Sequence, residues 1–160
     1  MKYNAALLEA DIRDELEKLE LLAREYKLIG ELVSRSDKEV SFYDKAATGY
    51  FLHSFYNGCE NIFRLIARFF ENDIGTGSWH RDLLKRMKLE IPGYRPRLID
   101  NETYDLLNEF RAFRHVFRHC YSFQLDWTRE QAIAEKFPLT WERFAAQVDD
   151  FLSVMQESDL

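Results

Sequence analysis

Apolar side chains return at three- and four-residue steps along five stretches of this chain, and that spacing predicts five helices. The first is expected from about Asn4 to Val33, with Leu8, Ile12, Leu16, Leu19, Tyr26, Ile29 and Val33 forming one stripe. Its opposite face is acidic (Glu9, Asp11, Asp14, Glu15, Glu17, Glu20, Glu25) and reads as a solvated surface. Ser34-Arg35-Ser36-Asp37 interrupts the pattern, and Ser36 with Glu39 has the spacing of a capping box. A second helix, Phe42 to Asn72, is apolar nearly all round through Tyr50, Phe51, Phe55, Tyr56, Ile62, Phe63, Leu65, Ile66, Phe69 and Phe70. A helix of that kind is central, or is covered on one side by the core and on another by a partner.

The glycines of Asp73–Ser78 predict a loop, followed by a short third helix over Trp79–Lys88. Ile91 to Pro96 reads as an extended connection because of its prolines. The fourth helix spans about Glu102 to Tyr121. The fifth begins near Thr128, where Thr128 and Gln131 can cap it, and runs to about Met155 with a kink or split at Pro138. No repeat, linker or low-complexity tract divides residues 1–160. The expectation is one all-α domain, a bundle of four to five helices.

Composition narrows the class. Six Gly and three Pro leave little material for a turn-rich β fold, and 46% hydrophobic with 31% charged residues is ordinary for a folded domain. No run approaches the ~20 apolar residues that span a bilayer. Met1-Lys2-Tyr3-Asn4 leads directly into charged helix and does not read as a signal peptide. Cys59 and Cys120 stand apart, without the pairing of a disulfide framework or zinc site, which points to a cytoplasmic location. A net charge of −6 argues against broad nucleic-acid binding but leaves room for a small cationic site.

The fourth helix supplies such a site. At about 100° per residue, Leu106, Phe110, Phe113, Val116, Phe117 and Cys120 gather on an expected core face. Arg111, Arg114, His115, Arg118 and His119 gather on the other, with no acidic residue between 111 and 119. Three readings compete. The face is solvated, or its arginines pair with the acids of the first helix. Alternatively His115 and His119, at i and i+4, hold a metal, although no Glu-x-x-His occurs and flanking arginines repel a cation. In the third reading the face binds an anion, specifically a phosphodiester. Arginine holds phosphate with a planar fork, and histidine moves protons near neutral pH. Together they suffice to cut RNA without metal or other cofactor.

Arg114-His115-Val116-Phe117-Arg118-His119-Cys120-Tyr121 fits Arg-x4-His-x-Tyr and resembles the signature of HepT-type toxins in the HEPN superfamily. Arg111 to His115 leaves a gap of only three. Leu52 to Ile62 is similar to the central helix of these proteins. Trp79 to Leu84, and Arg95-Pro96-Arg97 through His115, are similar to one HepT-like branch. The resemblance implies a homodimer whose signature helices face each other across a composite cleft. It implies a metal-independent endoribonuclease with Arg114 and His119 as catalytic residues, supported at the phosphate by His115, Arg118 and Arg111. It further implies a minimal nucleotidyltransferase antitoxin that transfers AMP to the signature tyrosine, here Tyr121. Arg114 and His119 project roughly 140° apart on one helix, so a groove at a two-fold interface would bring them to one phosphate.

The remaining polar residues have simpler readings. Asn57, Glu60 and Asn61 on the apolar second helix suggest a buried hydrogen-bonded set. His53 reads as a satisfied core or interface histidine. Trp79-His80-Arg81 packs the start of the third helix or lines the cleft mouth. A second function stays open: a non-cutting HEPN module that binds RNA, nucleotide or its nucleotidyltransferase partner.

Overall fold

The computed structural model describes residues 2–71 and 79–157, so Asn72 and the expected Asp73–Ser78 loop lie outside the described residues. Seven α-helices form there: α1 Lys2–Arg24, α2 Tyr26–Val33, α3 Phe42–Phe70, α4 Trp79–Met87, α5 Asn101–His119, α6 Trp127–Ala134 and α7 Phe137–Glu157. Helix α3 is the axis of the bundle and packs against α1, α4, α5 and α6. Of the stripe expected along the first helix, Leu8, Ile12 and Leu19 on α1 and Ile29 and Val33 on α2 are buried, and Leu16 and Tyr26 are half-buried.

Two expected helices are broken, each for a visible reason. The first breaks at Glu25, whose amide bonds the Leu22 carbonyl at 2.9 Å in a tightened turn. That break turns Tyr26 toward the end of α6, where its hydroxyl donates to the Ala134 carbonyl at 2.7 Å and its ring stacks on Phe137. The last is split after Ala134, leaving Pro138 in the first turn of α7, where its missing N–H costs no helical bond. Its start is capped by Asp126, which accepts from the Arg129 amide at 3.2 Å, and not by the expected Thr128. Gln131 instead donates to the carbonyls of Val33 and Arg35, tying α6 to the end of α2. The Ser36–Glu39 capping box is present, but it closes a single 3-10 turn; a second box, Ser41–Asp44, starts α3.

The core is aromatic. Phe55 meets Phe110, Phe137, Trp141 and Phe144 edge-on, with centroids 4.9–6.5 Å apart. Such edge-to-face pairs add to burial worth roughly 1.5–3 kcal/mol for each phenylalanine. The connection between α4 and α5 is a compact turn, not the extended segment expected. Ile91 and Arg95 exchange backbone bonds at 3.0 Å around Gly93, which takes a φ of 73°. The Arg95 side chain is buried beneath that turn, paired with Glu71 at 2.7 Å and donating to the carbonyls of Leu89, Pro96 and Arg86.

Gly49 of α3 faces side chains of α5 and α6 at close range. A Cβ there would collide with the Phe117 ring and lie 2.6 Å from the Glu130 carboxylate. Glu130 itself is fully buried, and neither of its oxygens has a hydrogen-bond partner. No helix of the described residues is long and apolar enough to cross a membrane.

Candidate active site

Helix α5 is anchored at its start by Asp100, which accepts from the Thr103 amide at 2.8 Å and pairs with Arg143 of α7 at 2.7 Å. From that anchor its buried positions are Thr103, Leu107, Phe110, Phe113 and Arg114. This corrects the expected faces of the helix. Val116, assigned to the core, is 43% exposed, whereas Arg114, assigned to the polar face, is only 4% exposed. The physical reason is register: positions 107, 110 and 114 follow the three- and four-residue steps of the stripe that faces α3.

A buried guanidinium requires compensation, and α3 provides it. Arg114 Nη1 donates to Asn57 Oδ1 at 2.7 Å and to Glu60 Oε1 at 3.1 Å, and Nη2 donates to Glu60 Oε2 at 3.1 Å. Its guanidinium also lies 4.9 Å from the centroid of the buried Tyr56 ring. Glu60 accepts from Arg64, at 3.2 Å, one turn further along α3. One carboxylate thus faces two guanidinium groups, and the cluster is net cationic. Of the expected buried set only Glu60 is buried; Asn57 is half-buried but joins the same hydrogen bonds, while Asn61, also half-buried, reaches away to Glu15 of α1 at 3.3 Å.

Two histidines flank this cluster. His53 Nε2 accepts from the Asn57 amide at 2.9 Å. Burial, followed by the charges of Arg114 and Arg118, lowers its pKa, which favours the neutral ring. It is half-buried and its Nδ1 has no hydrogen-bond partner among the described residues, so it is not the satisfied core histidine expected. On the other side, His80 Nδ1 lies 2.8 Å from Glu60 Oε2 and 2.8 Å from Arg114 Nη2. Trp79 packs against the His80 ring at a centroid distance of 3.6 Å and carries Arg64 over its own ring at 4.6 Å. Of the two roles weighed for Trp79-His80-Arg81, packing at the start of α4 describes Trp79, but His80 belongs to the polar cluster.

The other signature residues occupy the exposed end of α5. His115 and His119 are exposed, with ring centroids 5.0 Å apart, and Arg118 beside them is exposed. Arg111 is half-buried and donates to Asn108 at 2.9 Å. Among the described residues neither Arg111 nor Arg118 joins an ion pair, and Arg114 pairs with α3, so the expected alternative of pairing to α1 is not realised. His119 ends the helix. Tyr121, expected within it, lies beyond it in an extended conformation that opens the 3-10 turn 122–124. Its amide donates to Gln124 Oε1 at 2.7 Å, and its ring, 70% exposed, stacks on Phe123. The structure thus brings Arg114 together with Asn57, Glu60 and His80 inside the bundle, and gathers His115, Arg118 and His119 on its surface.

Sequence reasoning missed the Arg114–Glu60 pairing and the place of His80. Register along α5 carried a signal for the first; for the second, the Trp79-His80-Arg81 segment suggested a place at the cleft mouth but not its contacts with Glu60 and Arg114.

The described residues form an all-α bundle, consistent with a HEPN-type domain. The family model for HepT-like protein matches residues 47–155, more than half of the chain, and the chain belongs to this family of the HEPN superfamily. None of the curated proteins compared with the chain matches it.

Proposed function

We propose that this protein is the toxin of a toxin–antitoxin pair, a metal-independent endoribonuclease working at a site shared by two copies of the chain. The observation that carries the reading is the exposed cationic end of α5, His115, Arg118 and His119, in a chain of the HepT-like family. His119 moves a proton, Arg118 and His115 hold the phosphodiester, and the 2′-hydroxyl of the RNA attacks phosphorus to leave a 2′,3′-cyclic phosphate. Arg114 acts from behind as a positioning residue, since its donors are engaged by Asn57 and Glu60. That revises the direct phosphate clamp expected of it. The exposed side chains of Tyr43 and Tyr50 on α3 and Val116 on α5 are the natural mutual face of the homodimer. Tyr121 is accessible to a nucleotidyltransferase antitoxin that transfers AMP to its hydroxyl.

The test is purified protein on a single-stranded RNA oligonucleotide, with His119→Ala alongside. Wild type should cut, and the exposed position of His119 means the variant should melt as wild type does yet lose cleavage. Undiminished cutting by His119→Ala overturns the assignment. The burial of Arg114 favours a second reading, a HEPN module that binds RNA or its enzyme partner without cutting. Under it the protein would retard the oligonucleotide on a gel and leave it intact.

A further inference from the structure

His80 lies outside the signature of α5, yet residues of α3 and α5 converge on it at its place on α4. Its Nδ1 faces Glu60 of α3 and Arg114 of α5, each at 2.8 Å. Arg114 can only donate and the Glu60 carboxylate can only accept. A protonated Nδ1 therefore donates to Glu60, and an unprotonated one accepts from Arg114. Among the described residues Nε2 has no partner, and the side chain keeps 29% of its surface exposed. Trp79 packs on the ring and limits its rotation. A carboxylate behind one imidazole nitrogen, with the other nitrogen open, is the arrangement that lets histidine accept a proton and stabilises the resulting imidazolium.

We propose that His80 is a second catalytic residue, the general base of the cleavage, with Glu60 as its orienting carboxylate. This rests on the ribonuclease reading above. In the step, His80 Nε2 takes the proton of the 2′-hydroxyl as the 2′-oxygen forms its bond to phosphorus. The bond from phosphorus to the 5′-oxygen breaks, and the His119 imidazolium delivers a proton to that oxygen. The products are a 2′,3′-cyclic phosphate and a 5′-hydroxyl, and the two histidines return their protons through water. The charged groups around His80 on neighbouring helices are Glu60, with its partner Arg64, on α3 and Arg114 on α5.

The experiment measures kcat and KM from pH 5 to 9 on an end-labelled single-stranded RNA oligonucleotide. Wild type, His80→Ala, His80→Gln, Glu60→Gln and His119→Ala are compared, each with its thermal melt. His80→Ala should lose ~10²-fold or more in kcat, with KM little changed, and should lose the acidic limb of the profile. Glu60→Gln should lower kcat in the same direction with KM little changed, because the ring loses the carboxylate that orients it. If His80→Ala melts early, His80→Gln, whose amide can still bond Glu60, should fold and show the same loss. Wild-type kcat and an unmoved acidic limb in a folded His80 variant, with His119→Ala inactive, overturn this inference alone. A wild type that cuts no RNA overturns the ribonuclease reading and this one with it.

Discussion

Glu130 offers the sharpest physical test of the fold. It lies on the buried face of α6 between Trp127 and Ile133, and it packs against Gly49 of α3. Burial pushes its pKa from 4.5 up to about 8, against the pull of Lys45 on α3 and with a small push from Asp126 on α6. Lys45 gives only partial relief because it pairs with Asp37 at 2.7 Å. A carboxyl whose folded pKa is raised binds its proton more tightly in the native state. Its unfavourable contribution is absent below pH ~4.5, grows as pH rises between 4.5 and 8, and is complete above about 8. At 1.36 kcal/mol per pH unit the full penalty is about 5 kcal/mol, and at pH 7 about 3 kcal/mol. Glu130→Gln keeps the shape and removes the charge. Thermal melts of the two proteins should differ by only about 2–3 °C at pH 5 and separate by roughly 10–20 °C at pH 9, the variant melting higher. Chemical unfolding at both pH values checks the same difference in free energy. A difference in melting temperature independent of pH, or an opposite trend, refutes the claim that Glu130 is buried as the neutral acid.

The same reasoning gives four further outcomes. Arg114→Ala should cost about 3–5 kcal/mol by leaving Glu60 buried without its principal partner, read as a lowered denaturation midpoint; an unchanged midpoint would mean that Arg114 is exposed in solution. Gly49→Ala should cost about 1–3 kcal/mol, because its Cβ has no room against Phe117 and Glu130, measured by the same unfolding curve. Cleavage should persist in EDTA and leave cyclic phosphate ends, and activity lost on chelation and restored by magnesium would refute the metal-independent route. On the proposed toxin reading, Tyr121→Phe should keep inhibiting growth but become insensitive to a co-expressed nucleotidyltransferase in a growth assay. If the partner still neutralises it, covalent modification at Tyr121 is not the control.

The places of the helices were legible in the sequence because helix formation is mostly local. Three- and four-residue spacing marked the buried stripe from Leu8 to Val33, the all-round apolar character of α3 marked the bundle axis, and Pro138 marked the division of α6 from α7. The burial of Glu60 was legible too, because a polar residue in such a helix has nowhere else to go. The signature residues were legible as a string, and their family resemblance agrees with the match over 47–155. What each signature side chain touches was decided by tertiary structure. A helical repeat defines faces, but it does not say which face meets a neighbour or what that neighbour offers. Helical projection put Arg114 on the polar face with Arg111, Arg118 and the histidines; α3 meets it instead with a carboxylate and an amide, 54 and 57 residues away in the chain. His80 joins them from a third helix. Tyr121 falls outside α5 because the helix ends at His119 and Cys120 turns extended. Glu130 becomes a proton-binding group only because α3 and α6 close over it, and desolvation of that kind comes from packing, which no local pattern along the chain records.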